Sequence, residues 1–254
     1  MQKNLLTIAG VAGAVIVGLV LLWYGSDVYL RKNEPKDQIE AALPGVRLAP
    51  AITDTSVVAP KVSRKLVFPD YMPRDFRKQI TAAVDTLADN IEKDPTDINN
   101  WLDLALQYKQ INDIEGAREV WVYLTKAAPK HALSFYNLGY LHHISLKEYP
   151  MAEEYFTQAI AIDPSQELYY LGFHELYRYS YKKDTTKAVD TLKQGMRALP
   201  DSINLTLTLA SYYRDEKQDK KSAVQYFTQA RDMAKKTGNT DLVKNLDAQI
   251  AALK

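Results

Sequence analysis

The sequence predicts an all-α protein built mainly from repeated helix pairs, and three observations support this prediction. Apolar residues recur at i, i+3, i+4 and i+7 spacing from about residue 74 to the C-terminus. Prolines that can end these helical segments stand at positions 95, 129, 164 and 200, which gives intervals of 34, 35 and 36 residues. In front of the array, an uncharged run of 20 residues extends from Leu5 to Tyr24. We therefore predict an N-terminal transmembrane helix, a linker and an array of antiparallel helix pairs.

The composition is that of a folded protein with no strong net charge. Of the 254 residues, 46% are hydrophobic and 25% are charged, which is typical of globular chains. Lys and Arg number 32 and Asp and Glu number 31, so no overall field favours nucleic acid, and we predict no nucleic-acid partner. The chain contains no cysteine, which excludes disulfides and thiolate metal sites.

The run from Leu5 to Tyr24 predicts a membrane anchor within residues 1–30. At about 1.5 Å per residue it is long enough to cross a hydrocarbon core of about 30 Å. Trp23 and Tyr24 stand where a cleavable signal peptide would carry small residues, so we predict an uncleaved signal anchor. These two aromatic residues also suit a membrane interface.

The charges that flank the anchor do not decide its orientation. Lys3 and the amino terminus lie on one side, and Arg31, Lys32 and Lys36 lie on the other, which leans toward a cytoplasmic C-terminus. A short tail, one anchor and a large domain are instead typical of bacterial inner-membrane proteins with an exported domain. We predict a single-pass protein of this second kind, with the side left open.

Residues 31–73 are predicted to be a proline-rich linker. Helical periodicity disappears there, and six of the 11 prolines of the chain fall in this segment. A flexible chain of this length spans about 35 to 40 Å, and proline makes it stiffer. The run from Lys65 to Pro73 is more apolar than a free linker requires, so we expect it to pack against the first helix of the domain.

The residues between 98 and 129 define the first repeat unit. Two amphipathic segments are separated by Asn112 and Asp113, and Pro129 follows the second. The residues that carry the pattern are Trp101, Leu104, Ala105 and Tyr108, then Ala117, Trp121 and Leu124. This order resembles the tetratricopeptide repeat, whose period is about 34 residues. The resemblance implies a right-handed superhelix whose concave groove binds an extended segment of a partner protein.

We assign residues 74–254 to this repeat domain. A capping helix is predicted at 74–93, four repeats at about 98–236 and a terminal helix at about 240–253. The extra residues of the second and third repeats are expected in turns, around Tyr149 and Pro150 and between Lys182 and Thr185. His174 departs from the family pattern, which has glycine or alanine at that position.

No pattern in the sequence predicts catalysis, a cofactor or a metal site. His174 and Glu175 resemble the start of a zinc-binding helix, but the position four residues beyond His174 is Arg178. Glycine-rich phosphate loops and nucleophile motifs are absent from the sequence. We predict a non-enzymatic protein without cofactors. The basic and aromatic residues from Tyr177 to Lys183 resemble those of proteins that bind single-stranded nucleic acid, but they fit the end of a helix and its turn equally well.

Alignment on the preceding proline predicts the residues that line the groove. One column contains a basic side chain in every repeat, with the charge of the histidine left open, and we call it the basic ladder: Lys109, His143, Arg178 and Arg214. One turn back lie Leu106, Tyr140, Glu175 and Ser211, and two turns back lie Leu102, Tyr136, Leu171 and Leu207. We predict that these columns bind an extended peptide with alternating apolar and acidic residues. A second interpretation is that the bases offset the negative ends of the helix dipoles and bind nothing.

Two classes of function therefore remain open. The resemblance implies a membrane-tethered scaffold or adaptor with a protein or peptide partner. The alternative is a self-assembling structural protein in which the anchor and the repeats form a homo-oligomer. Gly10, Ala14 and Gly18 lie four residues apart, an arrangement that lets two membrane helices approach closely.

Overall fold

The computed structural model describes residues 52–183 and 185–254. The predicted anchor from Leu5 to Tyr24, with its small residues, lies outside the described residues. Within the described part, no helix combines the length and the apolar character needed to cross a bilayer. The membrane anchor therefore stays a prediction.

The described residues form an all-α fold without β-strands, as predicted. Four helix pairs follow an initial helix, and a last helix packs on the fourth pair. The helices are α1 (Arg74–Lys93), α2 (Ile98–Gln110), α3 (Ile114–Ala127), α4 (Ala132–Leu141), α5 (Tyr149–Ile162), α6 (Glu167–Glu175), α7 (Lys187–Ala198), α8 (Ile203–Asp215), α9 (Lys220–Lys236) and α10 (Thr240–Leu253). We call α2, α4, α6 and α8 the A helices, and α3, α5, α7 and α9 the B helices.

The aromatic residue near the start of an A helix anchors its repeat. Trp101 is buried, and its indole Nε1 donates a hydrogen bond of 2.9 Å to the carbonyl of Pro95. Tyr170 holds the same position in the third repeat, where its hydroxyl donates a bond of 3.0 Å to the carbonyl of Pro164. The ring thus fills the core while its polar atom satisfies the turn that precedes the helix. The first and third repeats therefore share this contact, whereas the second and fourth repeats have Phe135 and Thr206 at the same distance from the proline.

Each A helix is followed by one residue with left-handed backbone geometry. The four residues are Asn112, Lys147, Lys182 and Gln218, with φ values of 63°, 58°, 51° and 51°. Such a residue reverses the chain between the A helix and the B helix of one repeat. The side chains of Asp113 and Asp219 then cap α3 and α9 by accepting backbone N–H groups.

The extra residue of the second repeat lies in a π-helical turn, so its predicted place around Tyr149 and Pro150 is wrong. His142–Leu146 form this turn, in which the N–H of Lys147 bonds the carbonyl of His142. A π turn absorbs one residue without losing the backbone hydrogen bond, so the helix need not stop earlier. Tyr149 and Pro150 instead form the first turn of α5.

The third repeat has a second π turn, Leu176–Ser180, at the end of α6. It takes up one of the two extra residues, because the N–H of Tyr181 bonds the carbonyl of Leu176 at 2.8 Å. The other extra residue follows Lys182 in the turn before α7, where the sequence had placed it. The two π turns are therefore the main departure from the predicted helix pairs.

Residues 52–73, which we call the strap, pack against the helical domain. The packing predicted for the run from Lys65 to Pro73 against the first helix is confirmed, and residues 52–64, predicted as linker, are packed as well. The backbone N–H groups of Thr53 and Asp54 bond the carbonyl of Ala127 at the end of α3. Further along, the hydroxyl of Tyr108 donates to the carbonyl of Val62 at 3.1 Å. Four apolar side chains of the strap pack on the core of the first repeat: Val57, Val62, Leu66 and Phe68. The strap therefore belongs to the same compact unit as the repeats.

Candidate peptide-binding groove

The structure places the ten predicted site residues on the A helices or on the π turns that extend them, but not all of them are accessible. Tyr136, His143 and Leu102 are buried, with exposed fractions of 1%, 4% and 8%. The other seven are partly buried: Lys109, Tyr140, Leu171, Glu175, Arg178, Leu207 and Arg214. Two members of the predicted apolar strip, Leu102 and Tyr136, are therefore part of the core, and the other three are partly exposed.

Two members of the basic ladder already have partners within the chain. The Nε and Nη2 atoms of Arg178 donate to Oε1 of Glu216 at 3.1 and 2.9 Å. Arg214 bonds both carboxylate oxygens of Asp215 and the side-chain oxygen of Gln249. These guanidinium groups are less available to an acidic peptide than the alignment implies.

His143 does not contribute a positive charge to the ladder. Its Nε2 lies 2.9 Å from the hydroxyl of Ser180, which links the two π turns. Burial lowers the pKa of His143 to about 4, so the ring is neutral at pH 7. The sequence left open whether His143 is charged, and its buried position in the π turn accounts for the neutral form.

Lys109 differs from the two arginines in having no acidic partner among the described residues. Its ammonium nitrogen lies 4.7 Å from the centre of the Tyr140 ring on the next A helix. Burial lowers the pKa of Lys109. The residue is thus a cation held against an aromatic face and not neutralised by a carboxylate.

Glu175 is the opposite case, a partly buried carboxylate at the end of α6. No donor or cation bonds its side chain within the part of the chain that the structure describes. Burial raises the pKa of Glu175, although the nearby charge of Arg178 opposes the effect. Its charge in turn contributes to raised pKa values of Tyr136, Tyr140 and Tyr179. Three tyrosines therefore lie within electrostatic reach of this carboxylate.

The hydroxyl of Tyr136 is buried beside this site and has no hydrogen-bond partner. A Cβ at Gly172 would lie 2.8 Å from Cε2 of the Tyr136 ring and 3.1 Å from its hydroxyl oxygen. Gly172 thus allows the ring to pack directly on α6, one helical turn before Glu175. An unsatisfied polar atom of this kind is rare in a native interior.

The aromatic and basic cluster from Tyr177 to Lys183 is occupied by an internal carboxylate. Glu153 of α5 accepts from the ammonium groups of Lys182 and Lys187 at 2.6 and 2.7 Å, and from the hydroxyl of Tyr177 at 2.6 Å. These bonds outweigh burial and lower the pKa of Glu153 to about 2. The cluster fastens the third repeat to α5, an arrangement that the repeat alignment does not reveal.

The other histidines also have internal partners. Nδ1 of His131 lies 2.8 Å from the hydroxyl of Ser134, and Nδ1 of His142 lies 2.7 Å from a carboxylate oxygen of Glu148. Nδ1 of His174 donates to a backbone carbonyl at 2.9 Å. Among residues 52–183 and 185–254, no group of three acidic or histidine side chains could hold a metal ion.

Comparison with known proteins supports the fold and the repeat type. Residues 132–166, which span α4 and α5, match the family model of the tetratricopeptide repeat. A crystal structure of MamA superposes with a TM-score of 0.51 at 20% identity, covering 66% of this chain and 99% of that chain. A second MamA structure gives 0.50 at 20% identity, covering 65% and 88%. At this identity the likeness shows the fold alone.

One curated relative matches over a longer stretch of sequence. The mRNA 3'-end-processing protein rna-14 of Neurospora crassa is 26% identical over 159 residues, which is 62% of this chain. The match spans only 12% of that relative. Together these comparisons support a tetratricopeptide-like helical repeat fold.

Proposed function

We propose that this protein is a membrane-tethered tetratricopeptide scaffold that binds an extended segment of a partner protein along its A helices. The observation that carries the proposal is the pair of partly buried, unpaired charges at Lys109 and Glu175, next to the unsatisfied hydroxyl of Tyr136. Most other charges near this surface have internal partners. Partly buried charges that have no partner within the chain are typical of a surface at which a ligand supplies the counter-charges.

Site-specific photo-crosslinking in cells tests where a partner binds. A benzophenone amino acid at Leu171, in the groove, should give a crosslinked product with another protein. The same probe at Thr157, an exposed residue of the B helix α5, is the matched control and should give none. Equal products from both positions, or none from Leu171, would contradict binding in the groove.

The membrane tether rests on the apolar run from Leu5 to Tyr24. The full chain should remain in the membrane pellet after alkaline carbonate extraction, and a chain that lacks residues 1–30 should be released. Protease digestion of spheroplasts would then report the side, because an exported domain is cleaved and a cytoplasmic one is protected. Release of the full chain by carbonate would exclude the anchor.

Self-assembly is the second candidate, and the spacing of Gly10, Ala14 and Gly18 favours it. The same crosslinking experiment separates the two candidates. A product from Leu171 with twice the mass of the chain, composed only of its own peptides, indicates self-association through the groove. A product that contains a different protein supports the scaffold.

A further inference from the structure

The two unpaired charges of the groove have opposite signs and lie on A helices that are separated by one other A helix. Lys109 belongs to α2 and Glu175 to α6, while Tyr140 belongs to α4 between them. The ammonium of Lys109 reaches over the ring of Tyr140 at 4.7 Å. Burial raises the pKa of Tyr140, and the charge of Glu175 on the next A helix adds to this shift. The groove therefore presents a cation and an anion that both act on one aromatic side chain.

Neither charge forms an ion pair with another side chain of the described residues, although the charge of Arg178 acts on Glu175. Arg178, one turn after Glu175, bonds Glu216 and stacks 4.8 Å from the Tyr179 ring. Lys109 and Glu175 do not form a salt bridge with each other. Because partial burial weakens solvation of both groups, a ligand that supplies the missing counter-charges gains more than it would on an open surface.

The distance between the two charges predicts the spacing of their partners. Lys109 already extends to α4, so the remaining separation is close to that of two neighbouring helices, about 8 to 10 Å. An extended peptide advances about 3.3 Å per residue. The two complementary side chains should therefore stand about three residues apart in the ligand.

We propose that the groove recognises an extended peptide segment that carries one acidic and one basic side chain about three residues apart. The acidic side chain meets Lys109, and the basic side chain meets Glu175. This inference rests on the proposed function and replaces the alternating apolar and acidic ligand predicted from the basic ladder, since Arg178 and Arg214 are paired and His143 is neutral.

Selection from a random peptide library displayed on phage, with the full-length chain as bait, tests the inference. Peptides retained by the wild type should share an acidic and a basic residue about three positions apart. Glu175→Gln and Lys109→Gln should each weaken the best peptide about tenfold, as expected for loss of a charge-assisted bond. The double variant Lys109→Glu with Glu175→Lys should prefer the peptide in which the two charges are exchanged. Dissociation constants from fluorescence anisotropy provide the measurement.

Matched controls separate the groove from general charge effects. Glu154→Gln and Lys126→Gln remove charges from exposed positions on the B helices and should leave affinity unchanged. The inference would be overturned if the selected peptides crosslink from Leu171 but lack the charge pair. It would also be overturned if these peptides bind both groove variants as tightly as the wild type. Either result would leave the proposed function standing. If the wild type retains no peptide and no partner is crosslinked from Leu171, both the inference and the proposed function are overturned.

Discussion

The first and third repeats share one plan but complete it differently. In both, an aromatic side chain bonds the carbonyl of the preceding proline, through Trp101 in the first repeat and Tyr170 in the third. The first repeat ends its A helix without a π turn and is covered by the strap. The third repeat adds a π turn and buries His174 at the position of Ala105. The two repeats therefore share the aromatic contact at the start of the A helix and differ at the end of that helix.

The difference also concerns where polar groups find their partners. In the first repeat, Tyr108 donates to the strap and Asp113 accepts from Arg64 of the strap at 2.6 Å. In the third repeat, Glu175 has no partner among the described residues, and Nε2 of His174 is buried and unsatisfied. Buried polar atoms without a partner are not confined to the third repeat, since the described residues include one in the first repeat and two in the second: Nε1 of Trp121, the hydroxyl of Tyr136 and Nδ1 of His143.

The largest expected effect tests the shared anchor. Trp101→Ala should lower the free energy of unfolding by about 3 to 5 kcal/mol, because it removes a buried ring and its hydrogen bond. Tyr170→Ala should have a similar effect, whereas Tyr170→Phe should cost only about 1 kcal/mol for the lost bond. Chemical denaturation monitors all three. Tyr71→Ala, at a residue that is 83% exposed, is the control that should change nothing. If Trp101→Ala has the same free energy of unfolding as the wild type, Trp101 does not have the anchoring role that it is inferred to share with Tyr170.

The helix pairs could be predicted because their signal is local. Trp101, Leu104 and Tyr108 lie on one face of a helix, and their burial follows from that spacing. The π turns could not be predicted in this way. An extra residue fits a longer loop or a wider helical turn equally well, and the choice depends on packing, as with the bond between His143 and Ser180.

The groove was predicted in outline but not in its electrostatics. The alignment placed Arg178 and Arg214 on equivalent positions, yet their partners Glu216 and Gln249 are 38 and 35 residues further along the chain. Contacts of this range depend on how successive helices pack, and a column of equivalent residues does not contain that information. For the same reason, Glu175 could be identified as unpaired only in three dimensions.

The second prediction concerns the histidine that distinguishes the third repeat. Burial lowers the pKa of His174 to about 4 from an ordinary value near 6.5, so the unfolded chain binds its proton first as the pH falls. The contribution of neutral His174 to the free energy of unfolding is therefore fully present above pH 6.5 and is lost progressively as the pH falls toward 4. We expect a loss on the order of 2 kcal/mol at pH 5 from this group alone.

His174→Ala restores the small residue found in the other repeats and provides the comparison. Its stability at pH 7 can differ from that of the wild type, but the decrease between pH 7 and pH 5 should be smaller. His131 and His143, whose pKa values burial also lowers to about 4, should still contribute in the variant. Urea denaturation at several pH values measures how steeply the free energy of unfolding decreases with pH. If this dependence is the same in the variant and the wild type, His174 does not titrate as its burial requires.

A smaller effect is expected from closing the space at Gly172. In Gly172→Ala the new Cβ would lie 2.8 Å from the Tyr136 ring, so either the ring or α6 must shift. Overpacking of this kind costs about 1 to 3 kcal/mol, and the better helix propensity of alanine offsets up to about 1 kcal/mol. Thermal denaturation should show a lower melting temperature, and an increase would contradict this close contact.

The smallest effect on stability should come from the strap that distinguishes the first repeat. Arg64 bonds Asp113 at 2.6 Å and Glu119 at 2.7 Å, but its side chain is 30% exposed, so Arg64→Ala should cost only about 0 to 1 kcal/mol. Its local effect should be larger, since Arg64 fastens the middle of the strap to the start of α3 and the apolar contacts of the strap are only partly buried. Amide hydrogen exchange of residues 57–68 should therefore accelerate in Arg64→Ala while exchange in α6 stays unchanged. Lys61→Ala, at an exposed neighbour, is the control. If exchange in the strap is unaffected by Arg64→Ala, its apolar side chains and the bond from Tyr108 suffice to hold it, and the ion pairs contribute nothing to the cover of the first repeat.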